Sequence, residues 1–416
     1  MPKSPSLYSA FPVSCTDFLR RRFSLLALPL ALAACVTQPV PVVAPPASPV
    51  APAPVAPLTP TTWDQLPAWP QLDLRPSWPA LLQSCKALGR RAEWQGICAD
   101  SETLSANDND ALRRFFELHF DPHTVRNPDG STQGLITGYY EPRLSGSRTR
   151  TARFRYPLYA VPDDLLVIDL GEAYPQLKDL RLRGRIEGRR VVPYYKRADI
   201  DAGKTPAPGR VLFWVDDPVD LFFLQIQGSG RIELADGTRI KVGYADQNGH
   251  PYASIGKKLI EMGELKLEEA SMQGIKAWAA RNPQRLPELL AQNPSYVFFR
   301  ELPAELAAPL GALGVPLTEA YSIAIDPRNI PLGAPVLLST TYPNSSEPLN
   351  RLMLAQDTGG AIKGAVRADF FWGFGDEAGR QAGRMKQAGQ MWVLLPKPAE
   401  PSADMTTANN SLSSPR

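Results

Sequence analysis

Apolar residues recur along this chain with two different periods, and the changes between them divide it into blocks. Near residues 108–120, Leu112, Phe115, Phe116 and His119 return at steps of three and four behind a cluster of capping residues, which predicts an amphipathic helix. From residue 135 the texture turns to short β-rich runs between Gly and Pro: 135–140, 154–161, 190–195, 211–215, 222–227 and 239–244. Short strands at such spacing predict a barrel or sandwich rather than a βαβ sheet. A helical period returns over 254–292, carried by Ile255, Leu259, Ile260, Met272, Ile275, Trp278 and Leu286. A second β-rich block follows, with strands expected at 322–325, 335–339, 352–355, 365–370 and 391–395. The pattern therefore reads as two β units with helices beside them.

The amino terminus follows neither period. Arg20-Arg21-Arg22 precedes an apolar run over 23–34 that is too short to span a bilayer permanently, the layout of a signal peptide. Leu32-Ala33-Ala34-Cys35 resembles the lipobox of bacterial lipoproteins, which implies cleavage before Cys35 and acylation of its side chain. By the sorting rule that comes with this resemblance, Val36 after the cysteine directs the chain to the periplasmic face of the outer membrane. The arginines also resemble a twin-arginine signal, so the export route stays open. Residues 36–61 are mostly Pro, Ala and Val, a tether in extended polyproline geometry with a reach of up to roughly 80 Å. The polar segment 399–416 is expected to be a disordered tail.

Composition narrows the function classes. The 45 Lys and Arg against 42 Asp and Glu leave a net charge of +3, dispersed rather than striped with aromatics, which argues against nucleic acid as a partner. Of four cysteines, Cys15 leaves with the signal and Cys35 takes the lipid. Cys85 and Cys98 remain as a disulfide pair for an oxidising periplasm. With His119, His123 and His250 as the only histidines, a zinc site has little to build on, and no metal or organic cofactor is expected.

Three clusters carry candidate chemistry. The densest is Gln356-Asp357-Thr358-Gly359-Gly360-Ala361-Ile362-Lys363-Gly364, followed by Arg367-Ala368-Asp369-Phe370-Phe371-Trp372-Gly373-Phe374-Gly375. Glycines admit a ligand to the backbone, carboxylates move protons, and aromatic faces stack on sugars. Turns of a small barrel whose aspartates cap backbone amides would look the same. Trp372 and Phe374 suit sugar stacking or barrel packing, the latter favoured. The second cluster is Asp220 with Gln227-Gly228-Ser229-Gly230, which is also compatible with a plain hairpin turn; the third is Thr137-Gly138-Tyr139-Tyr140-Glu141-Pro142. Two decoys are set aside: Gly203-Lys204-Thr205 lacks the earlier glycine of a phosphate loop, and Asp246-x-Asn248-Gly249 lacks the further ligands of a calcium loop.

These clusters occur in one order with Ser322-Ile323-Ala324-Ile325-Asp326-Pro327. The chain then ends on Ala382-Gly383-x-Met385-Lys386-Gln387-x-Gly389-x-x-Trp392-Val393-Leu394-Leu395-Pro396. Together they resemble the membrane-bound lytic murein transglycosylase A family over about residues 72–396. The resemblance implies a mainly β body with flanking helices: a double-psi β-barrel domain carrying an inserted second β-barrel domain, with the substrate groove between them. The expected layout is signal peptide 1–34, lipidated tether 35–62, double-psi barrel 63–143 and 269–398, inserted barrel 144–268 and tail 399–416. A three-aspartate segment over about 321–396 contributes Asp326, Asp357 and Asp369.

The resemblance further implies cleavage of the β-1,4 bond between N-acetylmuramic acid and N-acetylglucosamine without water, leaving 1,6-anhydro ends. Asp369 matches the single catalytic acid/base. Asp357, Asp326 and Asp220 match groove residues, with Gln227, Gly228, Ser229, Thr137, Tyr139, Tyr140 and Glu141 beside them as substrate-binding positions. The expected partners are peptidoglycan strands, the membrane through the lipid anchor and other cell-wall enzymes, for a protein acting as a monomer. Residue chemistry alone also admits an inverting two-carboxylate glycosidase or a non-catalytic peptidoglycan-binding lipoprotein.

Overall fold

The computed structural model describes residues 56–398 apart from 178, 179, 181 and 205–209. The signal peptide, Cys35, nearly all of the tether and the tail lie outside the described residues. A short strand β1 (Leu58–Pro60) leads to helices α1 (Trp78–Leu88), α2 (Ala92–Thr103) and α3 (Asn109–His119), then strands β2 (Phe120–Val125) and β3 (Gly134–Glu141). A second unit follows with β4 (Arg143–Ser147), β5 (Tyr156–Tyr159), β6 (Leu166–Ile168), β7 (Leu182–Glu187) and β8 (Arg190–Pro193). It continues through α4 (Arg197–Asp201), β9 (Val211–Val215), α5 (Pro218–Gln227), β10 (Ser229–Glu233) and β11 (Arg239–Gln247). Helices α6 (Ile255–Glu261), α7 (Met272–Arg281) and α8 (Leu286–Ala291) precede β12 (Val297–Glu301). The last block is β13 (Ser322–Ile325), β14 (Pro335–Thr341), β15 (Pro348–Thr358), β16 (Arg367–Phe374), α9 (Gly375–Arg384) and β17 (Lys386–Pro396).

Hydrogen bonding joins β17, β14, β15, β13, β16 and β3 in that order, and β3 returns to β17, so these six strands close into a barrel with β2 and β1 appended to β17. Two of its pairings are parallel, β13 with β15 and β16 with β3. The smaller sheet runs β12-β11-β10-β4-β9-β5, its end strands meeting, and β6-β7-β8 form a separate small sheet. Only Pro142 separates β3 from β4, so the chain passes from one sheet to the other across one residue. The smaller sheet takes its last strand from Val297–Glu301, whose ladder with β11 pairs Val242 with Glu301, whereas the insert was expected to end at residue 268.

Local chemistry explains the elements that matter for the site. Asp108 caps α3 by accepting from the amides of Asp110 and Ala111, and Leu112, Phe115 and Phe116 form its buried face. Residues 222–227, expected as a strand, belong to α5. Asp217 accepts from the amides of Val219 and Asp220 at 2.7 and 3.3 Å, and Pro218 sits in the first turn. Gly228, at φ 77°, ends the helix. Val219 and Phe222, then Leu221, Leu224 and Gln225, bury at helical spacing, a pattern that the dense run of apolar residues hides. Gly-Ser-Gly, which was also compatible with a hairpin turn, is a helix end followed by β10.

Strand alternation divides the larger barrel. Val336, Leu338, Met353, Ile323, Ile325, Ala368, Phe370 and Ile136 point inward into one core. On β14, β15 and β17 the outward residues Leu337, Leu352, Leu354, Trp392 and Leu394 are covered by α1 to α3. A disulfide between Cys85 of α1 and Cys98 of α2 ties that helical cover together.

Candidate active site

On β13, β16 and β3 the outward positions carry different chemistry. Asp369 of β16 is the ladder partner of Thr137 on β3 and of Ala324 on β13, and Thr137 is also paired with Lys386 of β17. Direct partners lie on the same face of a sheet, so these four residues form a row across the barrel. Asp357 joins it through a β-bulge. Ile323 pairs with Ala355, but the next pair is Ala324 with Asp357, the extra residue being Gln356. Simple alternation after the inward Ala355 would send Asp357 inward; the bulge turns it outward beside Ala324.

Gln356 itself is fully buried and anchored. It accepts from the Ser322 hydroxyl at 2.5 Å and donates to the Ala80 carbonyl at 2.7 Å and Ser84 Oγ at 3.0 Å, both on α1. The helical cover on one side thus holds the bulge that aims Asp357 on the other.

Asp369 is half-buried, and its Oδ1 accepts from the Thr137 hydroxyl at 2.6 Å. Burial pushes its carboxyl above the ordinary range, against the Thr137 hydrogen bond and the charge of Arg367. Arg367 Nη2 in turn donates to Thr137 Oγ1 at 2.8 Å. At Asp357, Oδ1 accepts from the amides of Ala312 and Thr358, both at 2.9 Å, and Oδ2 accepts from the Tyr139 hydroxyl at 3.0 Å. Burial nevertheless raises Asp357 to about 6, with the Asp369 charge adding to the push. Tyr139 is buried against Phe371 at 5.1 Å between ring centres; burial and the Asp357 charge hold its phenol well above its usual value, so it remains a donor.

The other expected positions are placed elsewhere. Asp326 is buried at the end of β13 with both oxygens engaged. Arg328 approaches at 2.9 and 2.6 Å and the Gly364 amide at 2.9 Å, and the Arg328 hydrogen bonds hold its pKa down to about 2. Its carboxylate pins the connection between β15 and β16 rather than joining the row. Glu141, 1% exposed, accepts from Arg231 of β10 at 2.9 Å, and that guanidinium lies 3.8 Å over Phe374, a clasp between the two sheets. Gln227 Oε1 accepts from the Tyr140 amide at 3.0 Å, Gly228 closes α5, and Ser229 opens β10 opposite Gly243. Trp372 packs on Phe370 at 4.6 Å and donates to Met385 Sδ, so it closes the barrel interior.

Asp220 stands in the first turn of α5, paired with Lys276 at 2.5 Å. Burial raises its pKa against the pull of Lys276. It opens onto a cleft of about 810 Å³ also lined by Asp217, Glu233, Arg143, Lys276 and Asp376. Tyr140 of β3 donates to Met272 Sδ of α7 at 3.4 Å and feels charges from this cleft. Burial first, then the charges of Asp220 and Asp376, raise its phenol to about 12. Among the described residues no group of three His, Cys, Asp or Glu is arranged to hold a metal ion.

Arg367, Gln356, Lys276 and Lys386 were not identified as site residues from sequence. Arg367 and Gln356 lie inside the motif that drew attention to the aspartates, yet nothing in their spacing indicates partners such as Thr137 or Ala80, hundreds of positions away.

Comparisons with known proteins follow the same outline. The family model described as MltA specific insert domain matches residues 135–300, and the 3D domain matches 321–395. Membrane-bound lytic murein transglycosylase A of Escherichia coli (strain K12) is 35% identical over 293 residues, 69% of this chain and 72% of that protein. The monoclinic crystal form of MltA from Neisseria gonorrhoeae is 43% identical, with TM-score 0.71, covering 83% of this chain and 94% of that one. E. coli MltA with bound chitohexaose is 30% identical, with TM-score 0.61, covering 84% of this chain and 94% of that one.

Proposed function

The chain belongs to the membrane-bound lytic murein transglycosylase A family, and on that premise we propose that it cuts peptidoglycan glycan strands without water, using Asp369 as acid and then as base. The bond broken joins N-acetylmuramic acid to N-acetylglucosamine. Protonated Asp369 donates to the glycosidic oxygen as its bond to the anomeric carbon breaks, and N-acetylglucosamine leaves as an alcohol. The carboxylate then takes the proton of the muramic C6 hydroxyl, whose oxygen bonds to the anomeric carbon. A 1,6-anhydro end forms and Asp369 is again protonated, so the step balances without a second reactant.

The observation that carries this reading is the unequal state of the two aspartates in the row. Both have raised pKa values, which suits an acid working near neutrality. Asp357, however, has its oxygens occupied by two amides and the Tyr139 hydroxyl, which leaves it poorly placed to activate a water. An inverting hydrolase needs a free second carboxylate. Asp357 instead supports Asp369 electrostatically, and Asp220 reaches the glycan from the first turn of α5. Asp326, Glu141 and Gln227 keep the strands in place.

The same reading has the chain anchored by acylated Cys35 at the periplasmic face of the outer membrane, supported by the Leu32–Cys35 motif, by Val36, and by relatives named as membrane-bound. No helix of the described residues is long and apolar enough to cross a membrane.

Mass spectrometry of the soluble products released from isolated sacculi tests the chemistry. Anhydromuropeptides, about one water lighter than hydrolytic products, are expected from the proton balance of this mechanism. Reducing muropeptides would replace it with a hydrolase, and binding without release would leave a peptidoglycan-binding protein.

A further inference from the structure

A threonine hydroxyl has one proton, and an arginine has only donors. Arg367 Nη2 lies 2.8 Å from Thr137 Oγ1, so the oxygen must present a lone pair to it, and the single hydroxyl proton is directed to Asp369 Oδ1 at 2.6 Å. Arg367 is held for this task, because its Nη1 donates to the carbonyl of Ala368 beside Asp369 and, at 3.4 Å, to that of Leu135 on the strand of Thr137. Oδ1 is therefore an acceptor whether Asp369 is charged or neutral. The carboxyl's own proton has to reside on Oδ2.

We propose that Arg367 and Thr137 are positioning residues that confine the proton traffic of Asp369 to Oδ2, so that one defined oxygen donates to the glycosidic oxygen and later accepts from the C6 hydroxyl. This rests on the reading of Asp369 as the acid/base. Without the arrangement the carboxyl proton would divide between two oxygens that face different directions, and part of the population would be unable to deliver it. The wiring also sets the charge balance. Facing Asp369 are Arg367 on its own strand, Tyr139 and Thr137 from β3, Lys386 from β17 in line with Thr137, and Asp357 from β15; Ala324 of β13 contributes no charge. Removing the Arg367 cation or the Thr137 donor withdraws support from the charged carboxylate, so in either case the protonated acid persists to higher pH.

The test compares Thr137→Val, Thr137→Ser, Arg367→Met and Asp369→Asn in the full chain. It measures kcat and KM on soluble glycan strands across pH, with melting temperatures to confirm folding. Thr137→Val and Arg367→Met are expected to lower kcat about tenfold or more, to leave KM within about twofold, and to move the alkaline limb upward by about half a pH unit or more. Thr137→Ser should restore most of kcat and the native limb. An unmoved alkaline limb in both variants, a loss confined to KM, or a Thr137→Ser protein as impaired as Thr137→Val would overturn the proposal. Asp369→Asn separates the two levels. If it still cleaves, the acid/base reading itself fails; if it is inactive while the other variants behave as wild type, only the wiring fails.

Discussion

Asp357 and Asp369 flank a single residue: each is a ladder partner of Ala324, one from the parallel strand and one from the antiparallel strand. Their carboxylates are thereby held on one face with only a methyl group between their strands. That relationship depends on the bulge at Gln356, since an unbroken alternation would bury Asp357 in the barrel. Proximity and burial then act together, and Asp357 holds its proton up to about pH 6.

The Asp357 shift has a stability consequence. Its pKa is about 6 in the folded protein against an ordinary value of 3.8, so below both values the proton is bound in either state and nothing is lost. Between them the folded state holds more protons than the unfolded state, and stability falls as pH rises. Asp357→Asn carries no such charge. Its melting temperature relative to the native chain should rise from about pH 4 to about pH 6 and then level off. A difference that stays flat across that range would remove burial as the cause.

Gln356→Leu should destabilise the protein by about 1–3 kcal/mol, because it removes the second hydrogen bond of the Ala80 carbonyl and leaves the hydroxyls of Ser84 and Ser322 short of a partner in a buried site. Activity per folded molecule should fall as well, through loss of the aim of Asp357. Urea unfolding beside glycan-release assays would decide this, and full activity in a destabilised protein would show that the bulge does not need its anchor.

Replacing Cys85 and Cys98 together with alanine should cost about 3 kcal/mol, the amount expected for a closed loop of about this size. The pair lies in the helical cover rather than in the aspartate row, so activity of the folded fraction should be unchanged. Chemical unfolding with and without reductant provides the comparison. A stability unaffected by reductant in the native chain would argue that the bond carries no load.

Gly138→Ala should destabilise by about 1–3 kcal/mol through overpacking, since an added Cβ would sit 2.7 Å from the Trp372 indole and 2.9 Å from the Ala382 Cα. Relief by Trp372→Phe in the same chain would identify the indole as the obstacle, and equal stability of Gly138→Ala and native protein would contradict the packing seen here.

Asp217→Ala removes the cap of α5 and should cost about 1 kcal/mol. It should also weaken glycan cleavage, because the same turn carries Asp220 and Lys276 lies between the two carboxylates. Thermal melts and product release, measured together, would separate the effects, and unchanged cleavage would place Asp220 outside the substrate path.

Much of this protein was legible along the chain. The capped period of α3 and the short β-rich runs at 322–325 and 335–339 were read from local pattern, because a helix cap and a brief apolar run between turn residues leave their mark within a few positions. Residues 222–227 were misread as a strand because an almost unbroken apolar run has no visible period, and only packing on both sides of α5 determined that it is a helix. Helices α1 and α2 were passed over for a related reason: the buried face of α2 includes Trp94, Ile97, Cys98 and Ser101 amid polar residues, so it shows hardly any apolar stripe.

The sequence by itself determined α3 and many of the strands, the dense cluster of glycine, aspartate and aromatics, and through its motifs the family. Residue type and spacing could not rank the aspartates; only the family resemblance singled out Asp369. Asp326, Asp357 and Asp369 look alike in sequence, yet Arg328 and the Gly364 amide hold the first as a buried anion, a bulge one residue long turns the second outward, and a threonine from a strand 232 positions away fixes one oxygen of the third. Those differences arise from which groups the closed barrel brings within hydrogen-bonding distance, and from how much water it excludes around each carboxylate. Neither property exists until the strands have paired.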